Sequence, residues 1–148
     1  MEQTFVMVKP EGVKRRLVGE IISRFEKKGL YLVASRVMIP DKKLLERHYA
    51  EHAKKPFFNA LVKHMASGAV VPMVFEGKNA IKVARKIIGA TCPFEAECGT
   101  IRGDYGACKG LNIVHGSDSA ESADREISLW FGLLESIEYF SYDVYYDE

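Results

Sequence analysis

Of the four histidines in 148 residues, one stands among neighbours that can do chemistry: His115, within Asn112-Ile113-Val114-His115-Gly116-Ser117-Asp118-Ser119. The run reads as the end of a short apolar strand followed by residues that start helices. A side chain placed there meets the free N–H groups and dipole of a helix N-terminus, which favour an anion such as a phosphate. An imidazole in that position offers a nitrogen nucleophile near neutral pH. The plainer reading is a histidine that caps or packs beneath the turn. Lys9, Arg85, Thr91, Arg102 and Asn112 tilt the balance, because they fall on loops or helix edges and are the donor types a triphosphate requires. Each of them alone reads as a solvated surface residue.

Other signatures fail or stay weak. GxxxxGK[ST], GxGxxG and GxSxG are all absent. His48-Tyr49-Ala50-Glu51-His52 matches the HxxEH form of an inverted zinc-peptidase motif, but no third ligand follows in a matching helical context and His48 continues the Leu44/Leu45 apolar stripe. Cys92, Cys98 and Cys108 with His115 would make a Cys3His zinc set whose spacing fits no familiar zinc module. An odd cysteine count without a CxxC pair argues against a disulfide framework and suits a reducing compartment. Phe57, at the rim of a Phe58/Leu61/Val62/Met65 stripe, either packs or stacks on a nucleobase.

The elements that must hold these residues follow from the apolar periodicity. Thr4 to Lys9 is an almost continuously apolar strand ending at Pro10. Val18, Ile21, Ile22 and Phe25 mark a helix stopped by Gly29, and Leu30 to Ile39 reads as a second strand. Asp41 caps a short helix, and a further helix follows Pro56. Val70 to Phe75 is a third strand in which Pro72 signals an edge or a bulge. Asn79 caps a helix ended by Gly89, and Ala90 to Gly110 is a long connection of the kind that is functional or mobile. Asn112 to His115 is a fourth strand, and Asp118 with Glu121 suggests a capping box for the last helix. The order implies an α+β sandwich, a mostly antiparallel four-stranded sheet with helices covering one face, as a single domain over 1–148.

Composition narrows the class of function. With 21 basic and 20 acidic side chains the net charge is +1, which argues against a general electrostatic grip on nucleic acid or an anionic membrane and leaves room for a local patch. The charge is uneven, since residues 1–28 carry seven basic and four acidic groups and residues 121–148 one basic and eight acidic. The start lacks the features of a signal peptide, and the longest apolar run, Ala69 to Phe75, is far short of the roughly 20 residues a membrane helix needs. A cytoplasmic protein is expected.

Five segments together resemble the nucleoside diphosphate kinases: Lys9-Pro10-Glu11-Gly12, Pro56-Phe57-Phe58, Gly99-Thr100-Ile101-Arg102-Gly103-Asp104, the His115 run, and Glu126-Ile127-Ser128-Leu129-Trp130-Phe131. They occur in order through nearly the whole chain. The resemblance implies a ferredoxin-like fold and reversible γ-phosphoryl transfer from a nucleoside triphosphate to a nucleoside diphosphate through a phosphohistidine. It makes His115 the nucleophile, Glu126 the carboxylate on its other ring nitrogen, and Ser117 a support for the pair. Lys9, Tyr49, Arg85, Thr91, Arg102 and Asn112 would bind phosphates and sugar, with Phe57 and Leu61 against the base. Mg²⁺ would enter on the nucleotide's phosphates rather than in a protein cage, and the chain would form a homo-oligomer. The sequence departs from the family pattern at Cys92, where asparagine is common, at Pro72, and from Gly132 to Glu148. Two other classes remain open on the residues alone: the zinc peptidase, and a nucleotide- or RNA-binding module on the same fold.

Overall fold

A computed structural model of the chain describes residues 1–134. The acidic end, 135–148, lies outside the described residues. The chain begins with β1 (Glu2–Val8), runs through a one-turn helix α1 (Pro10–Lys14) and α2 (Val18–Lys27), and returns along β2 (Tyr31–Ser35). A helical pair follows, α3 (Lys42–His48) and α4 (Phe58–Met65), joined through a 3₁₀ turn at Ala50–His52. Then come β3 (Val71–Gly77), α5 (Ala80–Ile88), α6 (Ile101–Tyr105), β4 (Val114–Gly116) and α7 (Ala120–Phe131). The sheet order is β2-β3-β1-β4 with every pairing antiparallel, the ferredoxin-like arrangement.

Helices cover both faces of the sheet, not one. The reason is visible in β1, which is interior and apolar at successive positions: Phe5 and Met7 point into one buried cluster and Val6 and Val8 into the other. The first cluster joins β1 to α3, α4 and α7 through Leu45, Val62, Met65, Ile127 and Trp130. The second joins it to α2, α5 and α6 through Ile21, Phe25, Ala84, Ile88 and Ile101.

Several local expectations are corrected. The second strand is shorter than Leu30 to Ile39, because a register shift between Leu32 and Ala34 bends it away and leaves only a separate bridge between Met38 and Val70. β3 is interior despite Pro72. That residue's carbonyl accepts from the Arg36 amide at 3.3 Å, so its polar edge faces the side where β2 has already ended at Ser35, and the missing N–H breaks no bond with β1. Asn79 holds the cap position of α5 in a left-handed conformation, yet its side chain caps nothing; the Glu2 carboxylate accepts from the Ile81 amide instead. The cap of α7 is Ser119, which accepts from the Ser122 amide, not Asp118 with Glu121. The long connection after α5 is not wholly irregular, since Thr100 caps α6 within it by accepting from the Gly103 amide.

The fourth strand runs from Val114 to Gly116 rather than from Asn112, and the cause is Ile113. Its φ of +76° is a left-handed conformation that a β-branched residue rarely adopts. Such strain costs about 1–3 kcal/mol. Two bonds that contribute about 0.5–1.5 kcal/mol each hold it in place: the Ile113 amide donates to the Glu11 carboxylate at 3.2 Å, and its carbonyl accepts from the Lys9 amide at 2.9 Å.

Candidate functional site

The described residues enclose a cavity of about 700 Å³ where the end of β4, the α3–α4 pair and the α5–α6 connection converge. His115 is the middle residue of β4, and the strand's short pairing with β1 places it opposite Met7. Its Nε2 lies 2.8 Å from Oε2 of Glu126, one of the buried residues of α7. The hydroxyl of Ser117 donates to the other oxygen of that carboxylate. Burial alone would raise the Glu126 carboxyl, but the hydrogen bond and charge of His115, with smaller help from His48 and Ser117, hold it below its ordinary value. A carboxylate accepts only, so Nε2 of His115 is the nitrogen that bears a proton in this contact, and in the neutral ring Nδ1 has the lone pair.

The cationic side of the cavity is built from buried donors. Lys9 follows β1 directly and its Nζ donates to Asn112 at 2.7 Å; Asn112 in turn donates to the Thr91 carbonyl at 3.1 Å. Burial, reinforced by the Arg102 charge and opposed by Glu11, brings the Lys9 ammonium down to about 8. Arg102, in α6, donates to the carbonyls of Val114 and Gly89, and burial followed by the charge of Arg85 lowers it to about 10. Its Nε is buried without a partner, as is the hydroxyl of Tyr49. Arg85, in the last turn of α5, donates to the Gly116 carbonyl at 3.2 Å. Two buried cations, with an unpaired donor on Arg102 and another on Tyr49, around one cavity suit a polyanion. At the mouth, Phe57 is half exposed with the Lys55 ammonium 5.7 Å from its ring centroid, and Leu61 lies one turn further along α4.

Ten of the eleven sequence-selected residues therefore line one cavity: His115, Glu126, Lys9, Tyr49, Phe57, Leu61, Arg85, Thr91, Arg102 and Asn112. Ser117 stands behind it, on Glu126. The rival readings do not assemble. The HxxEH segment is not one helical face, since α3 ends at His48 and the 3₁₀ turn carries His52 away. Among the described residues no cysteine joins a cluster close enough to share a metal; Cys98 and Cys108 are exposed and Cys92 is half-buried. The one cluster that qualifies is His48, His115 and Glu126.

Sequence reasoning missed three contributors. His48 looked like a stripe residue but is buried against the site, accepting from the Trp130 indole N–H at 3.0 Å. Glu11 was visible only as part of a motif, yet its carboxylate bridges the Ile113 amide and His64 Nε2, the latter at 2.9 Å. His52 lines the cavity with a buried, unpartnered Nδ1. Partners from distant parts of the chain define His48 and Glu11, and the shape of the cavity defines His52; none of these is written in local spacing.

Fold and cavity together define a class: a ferredoxin-like domain with a histidine–carboxylate pair in a cavity lined by cationic side chains. The family model for nucleoside diphosphate kinase matches residues 2–135. A nucleoside diphosphate kinase from Archaeoglobus fulgidus is 61% identical over 88% of this chain and 87% of its own length. Nucleoside diphosphate kinase 1 of Zea mays is 57% identical over 88% of each chain. The crystal structure of the enzyme from Encephalitozoon cuniculi superposes with a TM-score of 0.96 at 50% identity, covering 99% of this chain and 100% of that one. The chain belongs to the nucleoside diphosphate kinase family. It is an enzyme of nucleotide phosphate transfer.

Proposed function

We propose that this chain, as a single catalytic domain over 1–148, moves the γ-phosphoryl group of a nucleoside triphosphate to a nucleoside diphosphate in two half-reactions through phospho-His115, so maintaining triphosphate pools. The observation that carries the reading is the 2.8 Å contact between His115 Nε2 and Glu126, which leaves Nδ1 as the lone-pair nitrogen of a residue lining the cavity. In the first half-reaction the Nδ1 lone pair forms the bond to the γ-phosphorus while the bond to the bridging oxygen breaks. That electron pair leaves on the diphosphate. The Nε2 proton stays in its bond to Glu126, whose negative charge offsets the positive charge the ring acquires. The second half-reaction is the reverse with another diphosphate.

Arg85 and Arg102 would stabilise charge on the transferring phosphates, and Lys9, Tyr49, Thr91 and Asn112 would hold the remaining phosphates and the sugar. Mg²⁺ would arrive on the nucleotide and neutralise part of its charge. The donor set supports that route: the qualifying cluster pairs two imidazoles with one carboxylate already engaged by His115 and Ser117, a poor match to a cation that prefers six oxygens. The base would stack on Phe57 beside Leu61. We infer a homo-oligomer, consistent with exposed Val37 and Ile39 just beyond the edge strand β2. A cytoplasmic location is in keeping with free cysteines. Among the described residues no helix is long and apolar enough to cross a membrane.

Initial-rate kinetics with two nucleotides test the reading. Two half-reactions give parallel double-reciprocal lines, and stacking without base-edge contacts gives kcat/KM values for adenine, guanine, cytosine and uracil diphosphates within about a hundredfold. Intersecting lines would exclude the covalent route, and one base preferred by thousands would exclude the stacking model.

A further inference from the structure

His48 closes α3 and is almost wholly buried, with no place in the phosphate-binding set. Its ring stands edge-on to that of His115, centroids 4.8 Å apart at 77°. The Trp130 indole N–H donates to its Nδ1 at 3.0 Å. An indole nitrogen can only donate, so Nδ1 of His48 must be an acceptor and cannot carry a proton. The neutral ring then has its proton on Nε2. That nitrogen lies 3.7 Å from Oε2 of Glu126, the oxygen that receives the His115 bond. This is longer than a hydrogen bond, but close enough for an N–H dipole to favour the carboxylate where a lone pair would repel it.

We propose that His48 is a positioning residue for the transfer reaction: Trp130 locks its tautomer, the resulting Nε2–H steadies Glu126, and Glu126 so steadied keeps His115 Nδ1 turned to the nucleotide. The inference rests on His115 being the nucleophile. Its logic is geometric. Glu126 is held by Ser117 on one oxygen and by His115 on the other, and that second oxygen also faces His48 Nε2 at 3.7 Å and the Arg125 guanidinium at 4.0 Å. Arg125 is partly exposed, so His48 is the buried group that limits how far this carboxylate can swing, and a carboxylate so limited limits the imidazole bonded to it. The neutral state this requires is secure, because burial and the neighbouring His115 bring His48 down to about 3. His48 neither gives nor takes a proton in the cycle.

Three variants separate positioning from packing. In His48→Gln the amide oxygen can accept from Trp130 and the amide N–H can face Glu126. His48→Phe fills the space with neither group. Trp130→Phe keeps His48 but releases its tautomer. The readouts are the single-turnover rate at which His115 takes phosphate from MgATP, and the dissociation constant for the nucleoside diphosphate. His48→Phe is expected to slow transfer at least tenfold while affinity stays within about twofold, His48→Gln to recover most of that rate, and Trp130→Phe to lie between them. Equal rates in wild type and His48→Phe, or a His48→Gln as slow as His48→Phe, would overturn the proposal. If His48→Phe does not fold, ¹⁵N spectra of wild-type histidines decide it: a proton on Nε2 of His48 at pH 7 is required, and a proton on Nδ1 overturns the proposal. A wild-type protein that takes no phosphate on His115 would instead overturn the parent reading, which keeps the two failures apart.

Discussion

Two residues outside the recognised motif roles lead to tests of their own. Burial, followed by the charge of His115, pushes His48 down to about 3 in the folded chain, against an ordinary value of 6.5. Between those values the unfolded chain binds a proton that the folded chain refuses, so stability rises with pH through that window and is lost as pH falls. From pH 6.5 to 5 the loss attributable to this group is about 2 kcal/mol, at ~1.36 kcal/mol per pH unit. Urea unfolding at pH 7 and pH 5 should show His48→Gln losing less stability on acidification than wild type by that margin; equal losses would mean that His48 titrates in the fold. Glu11 is the second. Removing its carboxylate in Glu11→Ala leaves the Ile113 amide buried without a partner and its left-handed conformation held by one bond only. We expect about 1–3 kcal/mol less stability and at least a tenfold fall in kcat/KM, because Ile113 sits between Asn112 and the His115 strand. Glu11→Gln, which keeps an acceptor, should lose less of both. Residues such as Lys9, Arg102 and Asn112 were legible because donors of that type recur around any phosphate. Glu11 and His48 were not, since their meaning depends on partners at Ile113 and Trp130, far along the chain.

Among the elements, the strands and the longer helices follow from apolar spacing, and the departures follow from backbone detail. The α2 and α4 stripes are where periodicity puts them. The sequence reading puts the helices on one face, but the continuous apolar run of β1 needs cover on both, and spacing alone does not say which helices supply it. α6 escaped notice because five residues containing Gly103 carry too little periodicity to register. It matters because it supplies Arg102, and its position depends on Gly89 at the end of α5. Gly89 has φ +91°, a Cβ there would lie 2.5 Å from the Thr100 hydroxyl, and its carbonyl accepts from Arg102. Gly89→Ala should therefore both destabilise the fold, by more than the ~1 kcal/mol typical of point substitutions, and weaken triphosphate binding through Arg102. Urea unfolding and a nucleotide titration on the same variant measure the two effects. A variant with unchanged affinity would show that α6 is not held to the site through this contact.

Across the whole molecule, a chain of net charge +1 concentrates positive charge where it is useful without becoming a general polyanion binder. Lys9, Arg85 and Arg102 surround one cavity, and burial works against the charged forms of Lys9 and Arg102. Burial sets such a site against its own cations, and under the proposed function a nucleotide's phosphates would offset that cost. The antiparallel sheet delivers the parts from opposite ends of the chain: Lys9 from β1, His115 from β4 beside it, Glu126 from the helix that crosses behind. The account therefore stands on one atom. Incubating the protein with γ-labelled ATP and Mg²⁺ without acceptor, then mapping the acid-labile, alkali-stable label, examines it directly. The account predicts one label per chain, on Nδ1 of His115, discharged by any nucleoside diphosphate and absent from His115→Ala; label on another residue, or full turnover by His115→Ala, would contradict it.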